Sequence, residues 1–338
     1  MNYILTLILI FLFSFLIARF FSKKITNKFI TITKKNNFLG KDMNKPNTPL
    51  VSELGGVPVI ISFSLALLVT LIFYLIFSFN IFNIYNLFLL ISIFLVIILI
   101  AFLGFVDDAL GWKKGISQIQ HFLFPIIISV PIIIFTLFFG KTSLFIPFFG
   151  DIYIGVLYSW ILVPIAITAT TNAFNLLAGY NGFEAGIGII IFLTISIFAI
   201  LESNIIILLI LACWIGALSG FLIFNKFPAK IFPGDIITLV NGVIAGICAI
   251  ILNLEILVAF LIIIYIIEFF IKAKHKFKTE CFGIVLKDGT LKPRPERGSL
   301  IHFVLAKGKF TEKKLVHTFY LIQICISLLS LLFYFLFF

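Results

Sequence analysis

The sequence predicts an all-α polytopic membrane protein, and three observations carry that reading. The 338 residues are 62% hydrophobic and 12% charged, with 44 Phe, whereas a soluble domain carries about 25% charged residues. Ten apolar runs approach or reach spanning length, roughly 17 to 25 residues. The 25 Lys and Arg fall almost entirely on alternate connections between those runs. The net charge of +11 would raise nucleic acid as a partner of a soluble chain. Here it fits membrane topology and anionic ligands, so no nucleic-acid partner is expected. The four Cys (Cys213, Cys248, Cys281, Cys325) are scattered, and indicate neither a disulfide framework nor a zinc site.

The runs fall near 3–21, 56–79, 86–106, 117–139, 152–170, 186–201, 205–224, 236–252, 254–271 and 316–338. The first has no small-residue cleavage site and reads as a helix rather than a removed signal. The sixth, eighth and ninth are short or nearly fused, so the count is about ten transmembrane helices. The odd-numbered connections lie near 22–55, 107–116, 171–186, 225–235 and 272–315. They hold every Lys and Arg except Arg19, just inside the adjoining helix end, and Lys141, which shares the even side with Asp151, Glu202 and Glu255. By the positive-inside rule the odd loops are cytoplasmic and both termini face outward. The last loop alone is long enough for structure of its own. Cys281 to Leu286, the Lys287-Asp288-Gly289-Thr290 turn and Leu291 predict a small β-hairpin. Thr311-Glu312-Lys313-Lys314 predicts a helix start leading into the tenth span. With no internal repeat and no low-complexity linker, one transmembrane domain over 1–338 is the expected organisation.

Polar residues are few, and they gather at one membrane face. Asn172-Ala-Phe-Asn175-Leu-Leu-Ala-Gly179-Tyr-Asn181-Gly182-Phe-Glu184-Ala-Gly186 cannot be lipid-facing helix, because hydrocarbon offers freed backbone groups no partners. Amide oxygens, a carboxylate and close-approach glycines suit a metal-bound or phosphate-bearing ligand; an ordinary polar loop is the plainer reading of this stretch alone. Four more clusters fall on the same side: Glu53-Leu-Gly55-Gly56, Asp107-Asp108, Phe232-Pro233-Gly234-Asp235 and Pro293-Arg294-Pro295-Glu296-Arg297. Adjacent carboxylates at a membrane boundary want a cation. Mg²⁺, with Mn²⁺ as the alternative, suits one or two carboxylates plus substrate phosphates. Asp235 could cap its helix and still present an oxygen to that metal. Lys113 and Lys114 are membrane anchors or a diphosphate contact; Arg294 and Arg297 are a solvated basic loop or a bidentate phosphate clamp. The four His show no metal-ligand spacing: His121 and His317 read as helix-end residues and His302 as a weak ligand candidate. Glu268, inside the ninth span, is a functional hint without an assignable partner.

Taken together, Asn172–Gly186, the upstream Gly-Phe-Val-Asp107-Asp108, the downstream Phe-Pro-Gly-Asp235, and Asp42-Met-Asn44-Lys45 followed by Glu53-Leu-Gly-Gly resemble the polyprenyl-phosphate N-acetylhexosamine-1-phosphate transferase superfamily. The Ala-Gly179-Tyr-Asn181-Gly182 form is similar to the eukaryotic and archaeal UDP-GlcNAc:dolichyl-phosphate GlcNAc-1-phosphotransferases, of the glycosyltransferase family 4 type. Bacterial peptidoglycan-precursor relatives carry an Asp-Gly-x-Asp-Gly version and a histidine-rich last loop. Pro295 stands where the eukaryotic Pro-Arg-His-Arg has its histidine.

The resemblance implies that Asn175 and Asp235 bind Mg²⁺ with the diphosphate of UDP-GlcNAc. Gly179, Asn181, Phe232 and Glu53 would surround the uridine, and Arg294 and Arg297 would hold phosphates and sugar. Either Lys113 or Lys114 would contact the diphosphate, and Asp107 and Asp108 would flank the acceptor phosphate, Asp108 also within reach of the metal. Asn172 and Glu184, from the same stretch, and His302 complete the candidate substrate-binding set. The implied reaction is transfer of GlcNAc-1-phosphate to a polyprenyl or dolichyl phosphate, the first step of lipid-linked oligosaccharide assembly. A sister transferase using another UDP-N-acetylhexosamine or undecaprenyl phosphate is the alternative, and a transporter the remote one. A second copy of the chain is a candidate partner in a homodimer.

Overall fold

A helix satisfies its backbone groups within its own segment, which is why the apolar runs of this chain fold as helices. The computed structural model describes residues 3–76, 83–111 and 115–338. Its helices are α1 (Tyr3–Lys35), α2 (Gly56–Ile76), α3 (Ile84–Leu110), α4 (Gln118–Ile128), α5 (Val130–Phe138), α6 (Val163–Leu176) and α7 (Phe183–Leu201). They continue with α8 (Ile205–Asn225), α9 (Gly234–Leu252), α10 (Glu255–Leu261), α11 (Ile263–Lys274), α12 (Leu300–Leu305) and α13 (Glu312–Phe337).

Among the described residues eight helices are long and apolar enough to cross a membrane, counting α4 with α5 as one. α10 and α11, bent by 73° at their junction, are together long and apolar enough for a ninth, broken span or a re-entrant loop. This is the architecture of an integral membrane protein. The run expected at 152–170 is the remaining segment: a π-helical turn, Tyr158–Leu162, leads into α6.

α8 and α9 form the centre, with 83% and 89% of their apolar windows buried, against 28% for α1 and α13. α9 packs between α3 and α6, and α8 between α1 and α7. The α1–α8 crossing is tight because Gly216 and Gly220 leave room for the α1 backbone at Phe15 and Arg19. There the Ser22 hydroxyl donates to the Ala217 carbonyl at 2.6 Å.

α1 departs from the expected boundary. It runs past the apolar stretch to Lys35 because Ser22, Thr26, Ile30 and Thr33, spaced at helical intervals, form a buried stripe. Much of the expected 22–55 loop is therefore helix. The rest is a hairpin of β1 (Leu39–Lys41) and β2 (Leu50–Ser52), joined to the α8–α9 connection by a bridge between Ser52 and Ile231. The hairpin expected near 281–291 is present as β5 (Ile284–Val285) and β6 (Thr290–Lys292), with β7 (Phe310–Thr311) added as a third strand. Thr311 caps α13, as its sequence predicts. An unexpected hairpin, β3 (Ser143–Ile146) with β4 (Gly150–Tyr153), lies just before the π turn.

Candidate active site

The site forms where the last turn of α3 meets the first turn of α9. Gly104 permits that approach, since a side chain there would collide with the backbone of Asp235 and Ile236. Gly234 is required twice: its φ of 69° is left-handed, and a Cβ would fall against the Asp108 carboxylate. In this position Asp108 Oδ1 accepts from the Asp235 amide at 2.8 Å. Asp108 thus caps α9 in place of Asp235, the residue expected to do so. Asp108 Oδ2 is buried and has no hydrogen-bond partner.

Asp107 turns the other way. Its Oδ1 accepts from the Ile116 amide and lies 3.5 Å from His121 Nε2 on α4. Asp107, His121 and Asp235 each bring one ligand atom within 4.8 Å of the others. Asn175, from the end of α6, donates to Asp235 Oδ2 at 3.4 Å and accepts from the Thr238 hydroxyl at 3.0 Å. Three helices and the start of a fourth therefore converge on one carboxylate cluster. Its donors are hard oxygens with one imidazole, a set that fits a divalent cation.

Beside the cluster opens a cavity of about 950 Å³. Asp107, Asp108, Asp235 and Thr238 form one wall. Glu53 and Phe232 form another, pinned together because Gly55 donates to the Phe232 carbonyl at 2.9 Å and Phe232 to the Ser52 carbonyl at 2.8 Å. Burial pushes the Glu53 carboxyl above its ordinary range. Gly179, Tyr180, Glu184 and Phe282 close the third side. Gly179 adopts φ 103°, and a Cβ there would strike the Phe282 ring. Its amide donates to Glu184 Oε1 at 2.6 Å, so this carboxylate shapes the loop while presenting an edge to the cavity. Lys41 of β1 is the only Lys or Arg among the described lining residues; nothing in the sequence had singled it out.

Other expected residues stand elsewhere. Asn172 donates to the His121 and Thr168 carbonyls, at 3.1 and 2.9 Å, and is not part of the cavity lining. Asn181 is 3% exposed and is also absent from the lining. Its side chain accepts from Lys45 Nζ at 2.6 Å and the Ala229 amide at 2.8 Å, and donates to Asp42 at 3.2 Å. With Lys45 paired to Asp42 and Glu312, it ties the first loop, the Gly179 loop and α13 together.

Arg294 donates to the Phe282 carbonyl at 2.9 Å and pairs with Glu280 at 3.1 Å, one step behind the cavity wall. Arg297 is exposed and donates its amide to the Arg294 carbonyl. His302 is buried beneath the last loop, its Nε2 donating to the Phe282 carbonyl at 3.1 Å. It supports Phe282 and does not line the cavity. Lys113 and Lys114 lie outside the described residues. Glu268 now has partners: Ser299 Oγ at 3.1 Å, the Leu300 amide at 2.6 Å and Lys272 at 3.8 Å. Its role is to hold the start of α12.

Relatives bear on this geometry. A family model described as glycosyl transferase family 4 matches residues 90–253, which include Asp107, Asp108, His121, Asn175 and Asp235. A Saccharolobus solfataricus protein is 35% identical over 311 residues, 91% of this chain and 92% of its own. The chain belongs to glycosyl transferase family 4. That relative carries the name of a UDP-N-acetylglucosamine–dolichyl-phosphate N-acetylglucosaminephosphotransferase. So does a Sulfolobus acidocaldarius protein, 34% identical over 90% of each chain. A Petrotoga mobilis protein named a phospho-N-acetylmuramoyl-pentapeptide-transferase is 31% identical over 68% of this chain and 70% of its own.

Proposed function

We propose that this chain transfers GlcNAc-1-phosphate from UDP-GlcNAc to a polyprenyl or dolichyl phosphate, releasing UMP. The observation that carries this reading is the carboxylate cluster of Asp107, Asp108 and Asp235 at the edge of a cavity of about 950 Å³, large enough for a nucleotide sugar. The match to the two archaeal relatives over about nine-tenths of the chain supports the choice of donor and acceptor. The concentration of Lys and Arg on the connections at this end supports a cytoplasmic site, with both termini outside.

The chemistry asks for positioning and charge stabilisation. An oxygen of the lipid phosphate bonds to the sugar-bearing phosphorus, the bond from that phosphorus to the bridging oxygen breaks, and UMP leaves with the electron pair. The acceptor's second pKa near 6 makes it largely dianionic at neutral pH, so no strong general base is needed. Asp107 and Asp108 position the acceptor or the metal, and single displacement is favoured over an aspartyl intermediate. Asp107 and Asp235, with Asn175 fixing the second, would hold Mg²⁺ or Mn²⁺, which when bound supplies charge neutralisation at the diphosphate. Glu53, Gly179 and Phe232, which line the cavity, would enclose the nucleoside, and Lys41 would meet a phosphate.

UMP release by purified protein tests the reading, with Mg²⁺ and a polyprenyl or dolichyl phosphate and with EDTA and no-lipid controls. UMP that requires both lipid and metal, with UDP-GlcNAc preferred over UDP-GalNAc and UDP-MurNAc-pentapeptide, is the expected result. Preference for another donor would assign the chain to a sister reaction.

A further inference from the structure

We propose that His121 is a nitrogen ligand to the divalent cation of this site. With Asp107 and Asp235 it would make a mixed carboxylate–imidazole set that shifts preference from Mg²⁺ toward Mn²⁺. The inference rests on the phosphoryl-transfer reading only in that reading's need for a cation.

The three residues come from three helices, α3, α4 and α9, yet one ligand atom of each lies within 4.8 Å of the other two. Ligand atoms about 2.0–2.2 Å from one ion stand at most about 4.4 Å apart, so a small inward adjustment suffices. The His121 side chain is 14% exposed. Its Nε2 faces Asp107, and its Nδ1 is buried without a hydrogen-bond partner. Nε2, 3.5 Å from Asp107 Oδ1, is therefore the nitrogen placed to bind the ion.

The ring is placed from its backbone. Asn172 on α6 donates to the His121 carbonyl, and the Ser117–Gln120 capping box starts α4. Asp107 is fixed by the Ile116 amide. Asp108 is not in the convergent set; its Oδ1 accepts from the Asp235 amide. Mg²⁺ takes oxygen ligands and keeps its waters, whereas imidazole suits the later divalent metals. Replacing one oxygen by nitrogen therefore disfavours Mg²⁺ relative to the transition metals, Mn²⁺ among them.

The test is pulsed EPR on the purified full-length chain loaded with Mn²⁺. Wild type is expected to show a ¹⁴N coupling of a directly bound imidazole. Supplying ¹⁵N-imidazole histidine should convert it to ¹⁵N without any substitution. His121→Asp, which keeps a ligand, should bind Mn²⁺ without nitrogen coupling. Its Mn²⁺-over-Mg²⁺ affinity ratio should be lower by about tenfold or more, at least the effect of losing an outer-shell partner. Bound Mn²⁺ without nitrogen coupling, or a coupling that survives His121→Asp, would overturn the assignment. UMP assays on the same samples separate the two readings. Lipid-dependent UMP release with nitrogen-free Mn²⁺ overturns the ligand while the transferase stands. Nitrogen coupling with no UMP from any donor supports the ligand and removes the transferase.

Discussion

The amide of Asp235 donates to Asp108 Oδ1 at 2.8 Å, joining residues 127 positions apart and fixing the start of α9 to the end of α3. One carboxylate is thereby used to position another, which leaves Asp235 facing Asp107 and His121. Asp235→Ala should abolish turnover, with kcat down by about 10² to 10³-fold, the cost of removing one preorganised electrostatic group. It should also weaken the dependence on added Mg²⁺. Steady-state UMP release across a metal titration reads both, and near-wild-type kcat would remove Asp235 from the site.

Gly234→Ala should damage the same junction from the backbone. The φ of 69° disfavours alanine and the new methyl would meet the Asp108 carboxylate, so stability should fall by about 1 kcal/mol or more and kcat should fall with it. A detergent-solubilised melt with parallel kinetics tests this. Unchanged values for both would mean that the α3–α9 contact is looser than described.

Lys41→Gln should raise KM for the nucleotide sugar by about tenfold, in line with loss of one charge-assisted hydrogen bond, with a smaller effect on kcat. Lys41 is the one described cation in the lining. An unaltered KM would leave the phosphate contact to Lys113 or Lys114.

Asn181 and Lys45 should behave as structural residues. Lys45→Met leaves Asp42 and Glu312, each 2% exposed at the side chain, without their counter-ion. The cost of breaking a buried pair is about 3–5 kcal/mol. Asn181→Ala should likewise lower the melting temperature more than it alters KM. An Asn181 variant with normal melting and a raised KM would restore the uridine contact that its motif implies.

Acid should loosen the last loop through His302. Burial holds this imidazole below its ordinary pKa, and its Nδ1 has no partner to receive a proton. A depressed folded-state pKa means that the contribution is complete above about 6.5, the unfolded value, and is lost as pH falls through the folded one. Melting temperature between pH 7.5 and 5.5 should therefore drop less in His302→Asn than in wild type. Equal slopes would show that His302 does not titrate differently on folding.

How much of this was legible in the sequence depended on how each residue does its work. Asp107, Asp108 and Asp235 stand out because a charge at the end of an apolar run is costly without a purpose. Gly179, Phe232 and Glu53 were legible by resemblance and do line the cavity. His121 was not, because it meets Asp107 across two helices and no spacing pattern records that approach. Its one sequence cue was a polar residue just inside α4, next to the basic connection. Asn181 is expected at the uridine by resemblance, yet its side chain enters the Lys45–Asp42–Glu312 network. Glu268 looked functional because it is an acid inside a span, and its partners Ser299 and Leu300 lie 31 and 32 residues away. The long α1 escaped notice because Ser22, Thr26 and Thr33 bury small hydroxyls that a hydropathy scan counts as polar.

The fate of the sugar-bearing phosphorus tests the central claim most directly. Purified protein would be given UDP-GlcNAc labelled at that phosphorus, together with polyprenyl or dolichyl phosphate and Mg²⁺. The account predicts that the label moves into an organic-soluble GlcNAc-diphosphate lipid, with one UMP formed for each lipid product. Label that remains with the nucleotide as UDP, or leaves as water-soluble GlcNAc-1-phosphate whether or not lipid is present, would contradict it.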